Sequence, residues 1–123
     1  MKFREFKTKS GTLVLAGKNA ENNEELVKQI SPEEIVLHTA KPGSPFVNIK
    51  GKAEKEDVKE SAIFCASKSQ DWRDNKANVV VHIFNGKDIK KVKGMPVGTF
   101  AVKKAKSLIV KKAEITKSLG EKK

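Results

Sequence analysis

Two short runs of β-branched and other apolar residues constrain the fold of this chain most. One covers residues 34–38, Glu-Ile-Val-Leu-His, and the other covers residues 78–84, Asn-Val-Val-Val-His-Ile-Phe. Runs of this length and composition are typical of strands, and the first suits a strand buried on both of its faces. We therefore expect a β-sheet built around these two segments.

Shorter strand patterns lie on either side of these runs. Residues 3–6 and 12–16 are separated by a Lys-Ser-Gly turn signal and predict an opening β-hairpin. The pair Asn85-Gly86 is a strong hairpin signal, so the following segment is expected to return beside residues 78–84. The further predicted strands are residues 46–49, 88–92, 99–102 and 107–110.

Two segments have the apolar spacing of helices. The first ends near residue 30 and has Asn19 or Asn22 as its cap. The second is a long helix after Gly51, with Glu54, Glu56 and Asp57 in its first turn, and it ends in a polar loop at residues 72–75. These elements predict an α+β fold, a single compact domain with a mostly antiparallel or mixed sheet of six to eight strands and two main helices. The domain is expected to cover residues 1–115, followed by a basic, flexible tail at residues 116–123.

The charge of the chain is unevenly distributed. Its 26 basic and 15 acidic residues give a net charge of +11, and residues 87–123 alone contain twelve lysines and three acidic residues. A surface of this kind attracts polyanions, because neutralised phosphates release condensed counterions. Charge alone leaves open a lysine-rich surface that only keeps the protein soluble.

Motifs for other chemistry are weak. Five residues separate Gly11 from Gly17, instead of the four that separate the glycines of a P-loop, and these five have a strand pattern. One cysteine and two histidines are too few for a typical zinc site, and Cys65 lies in an apolar helical pattern that favours a buried thiol. Ser44 near His38 lacks the Gly-x-Ser-x-Gly elbow of a nucleophile. Because these motifs are weak, we expect neither a cofactor nor a metal. No segment resembles a membrane span or a signal peptide, which predicts a cytoplasmic protein.

Five ordered blocks, at residues 17–26, 34–40, 41–44, 60–67 and 92–98, together resemble the NFACT-R domain. The resemblance runs from about residue 10 to residue 110. It implies an RNA-binding module, which in larger family members belongs to ribosome-associated quality control factors that engage a stalled large subunit and its tRNA. The residues that match the family pattern, as structural or binding positions, are Gly17, Asn23, Glu24, Pro42, Gly43, Ser61, Ser67 and Gly98.

We therefore predict a non-catalytic RNA-binding domain whose partner is tRNA or rRNA, with the ribosome or quality control factors as further possible partners. The predicted RNA-binding residues are Lys18, Asn19, His38, Ser44, Lys87, Lys90, Lys91, Lys93, Lys103, Lys104 and Lys106. Two alternatives stay open at this point: a module that docks on ribosomal or translation-factor surfaces, and a small RNA-processing enzyme that uses His38. Neither the RNA nor the oligomeric state follows from the sequence.

Overall fold

A six-stranded antiparallel sheet forms the centre of the fold. The structure, a computed structural model, describes residues 2–120. Its strands are β1 (Arg4–Lys7), β2 (Leu13–Ala16), β3 (Ile35–Thr39), β4 (Val47–Ile49), β5 (Val79–Asn85), β6 (Ile89–Lys90), β7 (Ala101–Val102) and β8 (Lys106–Val110). The central sheet has the order β1-β2-β4-β3-β5-β8, and β6 pairs with β7 in a separate two-stranded sheet. The predicted α+β class and strand count are confirmed.

Four helices accompany the sheets: α1 (Ala20–Lys28), α2 (Lys55–Ser67), α3 (Gln70–Asn75) and α4 (Lys112–Ser118). Of the two predicted caps for α1, Asn19 is the one used, because its side chain accepts a hydrogen bond from the Asn22 backbone N–H at 2.8 Å. At the start of α2, the Glu54 backbone N–H donates to Asp57. None of the helices within residues 2–120 has both the length and the apolar character needed to cross a bilayer.

The central sheet is covered on both faces because its side chains alternate between two apolar clusters. Val14 and Leu37 point to the face covered by α2, α3 and α4, whereas Leu15 and Val36 point to the face covered by α1 and the β6–β7 hairpin. Leu26 of α1 is fully buried in the second cluster, which contributes about 1.5 to 3 kcal/mol. The near-continuous apolar character of β3 follows from this burial on two sides.

The hairpin predicted after Asn85-Gly86 is wrong. β5 pairs with β3 on one side and with β8 on the other, so neither edge is free for the next segment. Residues 86–88 instead form a 3₁₀ turn, held by hydrogen bonds from the Gly86 N–H to the Glu34 carbonyl and from the Lys87 N–H to the Pro32 carbonyl, both 3.0 Å. β6 then pairs with β7 across the outer face.

Two short helices lie where the sequence pattern predicts a loop or a tail. Residues 72–75 belong to α3, whose Trp72 is buried against α2 and the sheet. The expected domain boundary after residue 115 falls within α4, and Ile115 is completely buried. Residues 121–123 of the expected tail lie outside the described residues, so the flexibility of the tail stays a prediction.

Candidate nucleic-acid interface

A groove of about 850 Å³ lies between the start of α1, the loop after β3, the α2–α3 junction and the β6–β7 hairpin. The predicted residues that line it are Gly17, Lys18, Asn19, Asn23, His38, Pro42, Gly43, Ser44 and Gly98. The fold thus brings together the segments around residues 17–19 and 38–44, which are distant in sequence. No aspartate or glutamate is among the described residues that line the groove.

At the turn before α1, the Asn23 side chain lies directly against the backbone of Gly17. A Cβ atom at Gly17 would lie 1.8 Å from Oδ1 of Asn23, and this same Oδ1 accepts a hydrogen bond from the Phe46 N–H at 3.2 Å. The backbone N–H of Lys18 donates to Asn22 Oδ1 at 2.9 Å, and the side chain of Lys18 is exposed at the groove. Gly17 and Asn23 are therefore in close contact at the turn that precedes α1, next to Lys18.

His38 lies on β3 opposite His82 of β5, and its ring stacks at 4.6 Å between centroids against Phe46. Its Nδ1 is 2.7 Å from the Thr39 carbonyl oxygen. Because a carbonyl only accepts, Nδ1 carries the proton and Nε2 is left for a ligand. Burial lowers the pKa of His38 from its ordinary value, the nearby His82 lowers it further, and the bond to Thr39 opposes the shift.

The Ser44 hydroxyl is engaged in holding the loop after β3. Its Oγ accepts a hydrogen bond from the Thr39 N–H at 3.0 Å, and the Cys65 thiol lies 4.0 Å away. Burial raises the pKa of Cys65 to about 12, so this thiol stays protonated. Gly43, with φ of +94°, accepts the Gln70 N–H at 2.8 Å and joins the loop to α3.

Glu24 and Lys91 connect α1 to the segment between β6 and β7. Glu24 accepts hydrogen bonds from the Lys91 ammonium group and, at 2.7 Å, from the Gly98 N–H, and these bonds lower its pKa. The Lys91 Nζ also donates to the Thr99 carbonyl at 3.0 Å and lies 4.6 Å from the Phe100 ring centroid. Because Lys91 is held by internal partners, its role in this structure is to anchor one wall of the groove.

The other predicted lysines lie outside the groove. They are exposed on the β6–β7 hairpin and the segments that flank it, and none of their ammonium groups pairs with a carboxylate in residues 2–120. These residues are Lys87, Lys90, Lys93, Lys103, Lys104 and Lys106. Ser61 and Ser67 also lie away from the groove: Ser61 is buried in α2, and the Ser67 hydroxyl donates to the Phe64 carbonyl at 2.7 Å.

Four of the basic or imidazole side chains that line the groove were not predicted from the sequence: Arg4, Lys68, Arg73 and His82. Arg4 reaches the groove from β1, where its guanidinium donates to the Gly17 carbonyl at 3.0 Å. Lys68 and Arg73 come from the α2–α3 junction. No spacing pattern joins them, because the fold gathers them from three separate segments. Within the described residues, no group of three histidine, cysteine or acidic side chains is placed to hold a metal ion.

Residues 2–104 match the family model described as the NFACT protein RNA binding domain. The chain belongs to this family. The family resemblance seen in the five sequence blocks is thereby confirmed, and the match includes every segment that forms the groove. β8 and α4 lie beyond the matched range.

The chain is similar to two known proteins, one in sequence and one in structure. The archaeal Rqc2 homolog aRqcH of Methanocaldococcus jannaschii is 40% identical over 68 residues, which are 52% of this chain and 10% of that protein. The C-terminal structure of the fibronectin/fibrinogen-binding protein from Streptococcus suis superposes with a TM-score of 0.82 at 24% identity, over 95% of this chain and 49% of that one. The second likeness shows the fold alone. The NFACT RNA-binding chain described here thus spans a tenth of one relative and about half of the other.

Proposed function

We propose that this chain is a non-catalytic RNA-binding module that binds the phosphate backbone of tRNA or rRNA in its groove. The observation that carries the proposal is the composition of the groove walls. Arg4, Lys18, Lys68 and Arg73 line it together with two histidines, and no described carboxylate does. A concave surface with cations and no acidic side chain favours a polyanion over a neutral or cationic ligand.

The surroundings of the groove support backbone recognition more than reading of bases. Phe46 and Phe84 are buried and pack edge-on at 6.4 Å, so they are not available as stacking platforms. The exposed lysines of the β6–β7 hairpin lie along one flank and add to the attraction of phosphates. Recognition of the shape and backbone of a structured RNA agrees with this arrangement.

The groove residues also support a binding role over a catalytic one. The Ser44 hydroxyl accepts from a backbone N–H, and His38 Nδ1 bonds a backbone carbonyl. A nucleophile that is activated by a base would need these two side chains to bond each other. A role in ribosome-associated quality control is proposed because this chain shares 40% identity over 68 residues with the Rqc2 homolog aRqcH.

Fluorescence anisotropy with labelled tRNA, an rRNA fragment and duplex DNA tests the proposal. Wild-type protein is expected to bind structured RNA best, with log K falling by about 0.7 to 0.9 per phosphate contact for each tenfold rise in salt. Lys18→Ala is expected to weaken binding and to reduce this slope by roughly one. The control is Lys28→Ala, at an exposed lysine of the adjacent helix α1 that pairs with Glu25 away from the groove.

Absence of RNA binding at low salt would refute the proposal. Association with a ribosomal protein that does not respond to salt would instead favour a docking module, and cleavage of the RNA during incubation would favour an enzyme. Equal weakening by Lys18→Ala and Lys28→Ala would show that net charge, and not the groove, determines binding.

A further inference from the structure

A second depression, of about 360 Å³, lies beside the groove on the outer side of α3. The two share the residues of the α2–α3 junction, Lys68, Gln70 and Arg73. The second depression then continues past Trp72 to Lys76, the residue that caps α3. A chain that leaves the groove at Arg73 therefore meets a continuous concave surface.

Two of the three cations of this surface, Lys68 and Lys76, lie over aromatic rings and are not neutralised by a described carboxylate. The Lys76 ammonium lies 5.0 Å from the Trp72 ring centroid, and the Lys68 ammonium lies 5.7 Å from the Phe64 ring centroid. Neither forms an ion pair within residues 2–120. A ring face orients an ammonium group but accepts few of its N–H bonds, so these donors stay open to an anion. Only Arg73 has an acidic partner here, Asp74 at 3.0 Å, and that pair is exposed.

The backbone at Lys76 adds a second observation. Its φ of +47° and ψ of +47° place it in the left-handed region, as the only described non-glycine residue with positive φ. Glycine or asparagine is favoured at such a helix end. A lysine there bears the cost of the left-handed backbone, offset in part by its charge at the C-terminal end of α3, and its side chain lines the second depression.

From these observations we infer that Lys68, Arg73 and Lys76 form a second phosphate-binding subsite for the same RNA. One segment of RNA backbone occupies the groove, and the adjoining segment crosses α3. This inference rests on the proposed function and extends it, because it gives the RNA a direction away from the lysine-rich β6–β7 hairpin. It also assigns binding to α3, where the sequence pattern predicts only a polar loop.

The test titrates labelled tRNA at several salt concentrations with a triple variant, Lys68→Gln, Arg73→Gln and Lys76→Asn, and with Lys76→Asn alone. The single variant separates the two sites, because Lys76 lines the second depression and not the groove. Asparagine is chosen at position 76 because it tolerates the left-handed backbone. The control triple, Lys7→Gln, Lys52→Gln and Lys55→Gln, removes the same charge from exposed lysines that line neither depression. Thermal unfolding of both triples verifies that each is folded.

The α3 triple is expected to lower the salt slope by about two to three and to weaken binding by roughly tenfold or more at 0.1 M salt. The control triple should retain the wild-type slope. Lys76→Asn alone should lower the slope by about one. If Lys76→Asn keeps the wild-type slope while Lys18→Ala loses part of it, the groove binds RNA alone and the second subsite is refuted. If wild-type protein binds no RNA, the proposed function itself fails.

Discussion

Replacement of Gly17 by alanine is expected to destabilise the fold through one identifiable contact. The new Cβ would lie 1.8 Å from Oδ1 and 2.8 Å from Cγ of Asn23, so the Asn23 side chain must move. Its buried hydrogen bond from the Phe46 N–H is then lost, which costs about 1 to 3 kcal/mol. Residual crowding adds a similar amount, for a total of roughly 2 to 4 kcal/mol.

A double-mutant cycle with Asn23→Ala isolates this contact. In that background the oxygen and Cγ are gone and the closest remaining atom is the Cα of residue 23, at 3.3 Å. Gly17→Ala should then cost less than about 1 kcal/mol, which gives a coupling energy of at least about 1 kcal/mol. Urea unfolding measures all four proteins. Additive effects within about 0.5 kcal/mol would refute the view that Gly17 and Asn23 act as one architectural unit.

Three further predictions concern stability. Ile115→Ala should lower the free energy of unfolding, measured with urea, by about 2 to 4 kcal/mol, because the buried Ile115 side chain anchors α4. Leu119→Ala, at an exposed position of the same segment, should lower it by less than about 1 kcal/mol. Equal losses for the two variants would contradict the anchoring. Asp57 accepts bonds from three hydroxyl groups of residues 8–12, which lower its pKa to about 2. The contribution of ionised Asp57 to the free energy of unfolding should be complete above about pH 4 and should be lost as the pH falls toward 2. The difference in unfolding free energy between wild type and Asp57→Asn should therefore narrow in acid. A difference that does not change with pH would contradict this prediction. Burial lowers the pKa of His38, so wild type should lose stability as the pH falls below about 6.5, and His38→Gln should lose less across the same range.

Local patterns predicted those elements whose signals are complete within a few residues. The β1–β2 hairpin follows from two apolar segments separated by the turn signal at residues 9–11, and β3 follows from its continuous apolar run. The Asn85-Gly86 pair failed for a non-local reason. β8, about 20 residues further along the chain, occupies the edge of β5 that a hairpin would need, and no turn signal reports which strand reaches an edge.

The candidate site was predictable to a similar extent. A close approach of Asn23 requires glycine at position 17, and a left-handed backbone favours glycine at position 43. Both glycines are visible in the sequence, and both line the groove. Lys68 and Arg73 have no comparable sequence signal, because a lysine or arginine near the end of a helix has the same sequence pattern whether or not it binds a ligand. Lys91 shows the reverse: it lies in a lysine-rich segment that predicts phosphate binding, yet its ammonium group is held by Glu24.

The histidine side chains provide the most direct test of the RNA site. The chain contains only two, His38 and His82, and both line the groove. In ¹H–¹³C and ¹H–¹⁵N NMR titrations of the doubly labelled protein with tRNA, the imidazole signals and the Lys18 amide should shift together at substoichiometric RNA. The amide of Lys55, at the far end of α2, should not shift. Binding of tRNA that leaves both imidazole spectra unchanged would contradict the placement of RNA in this groove.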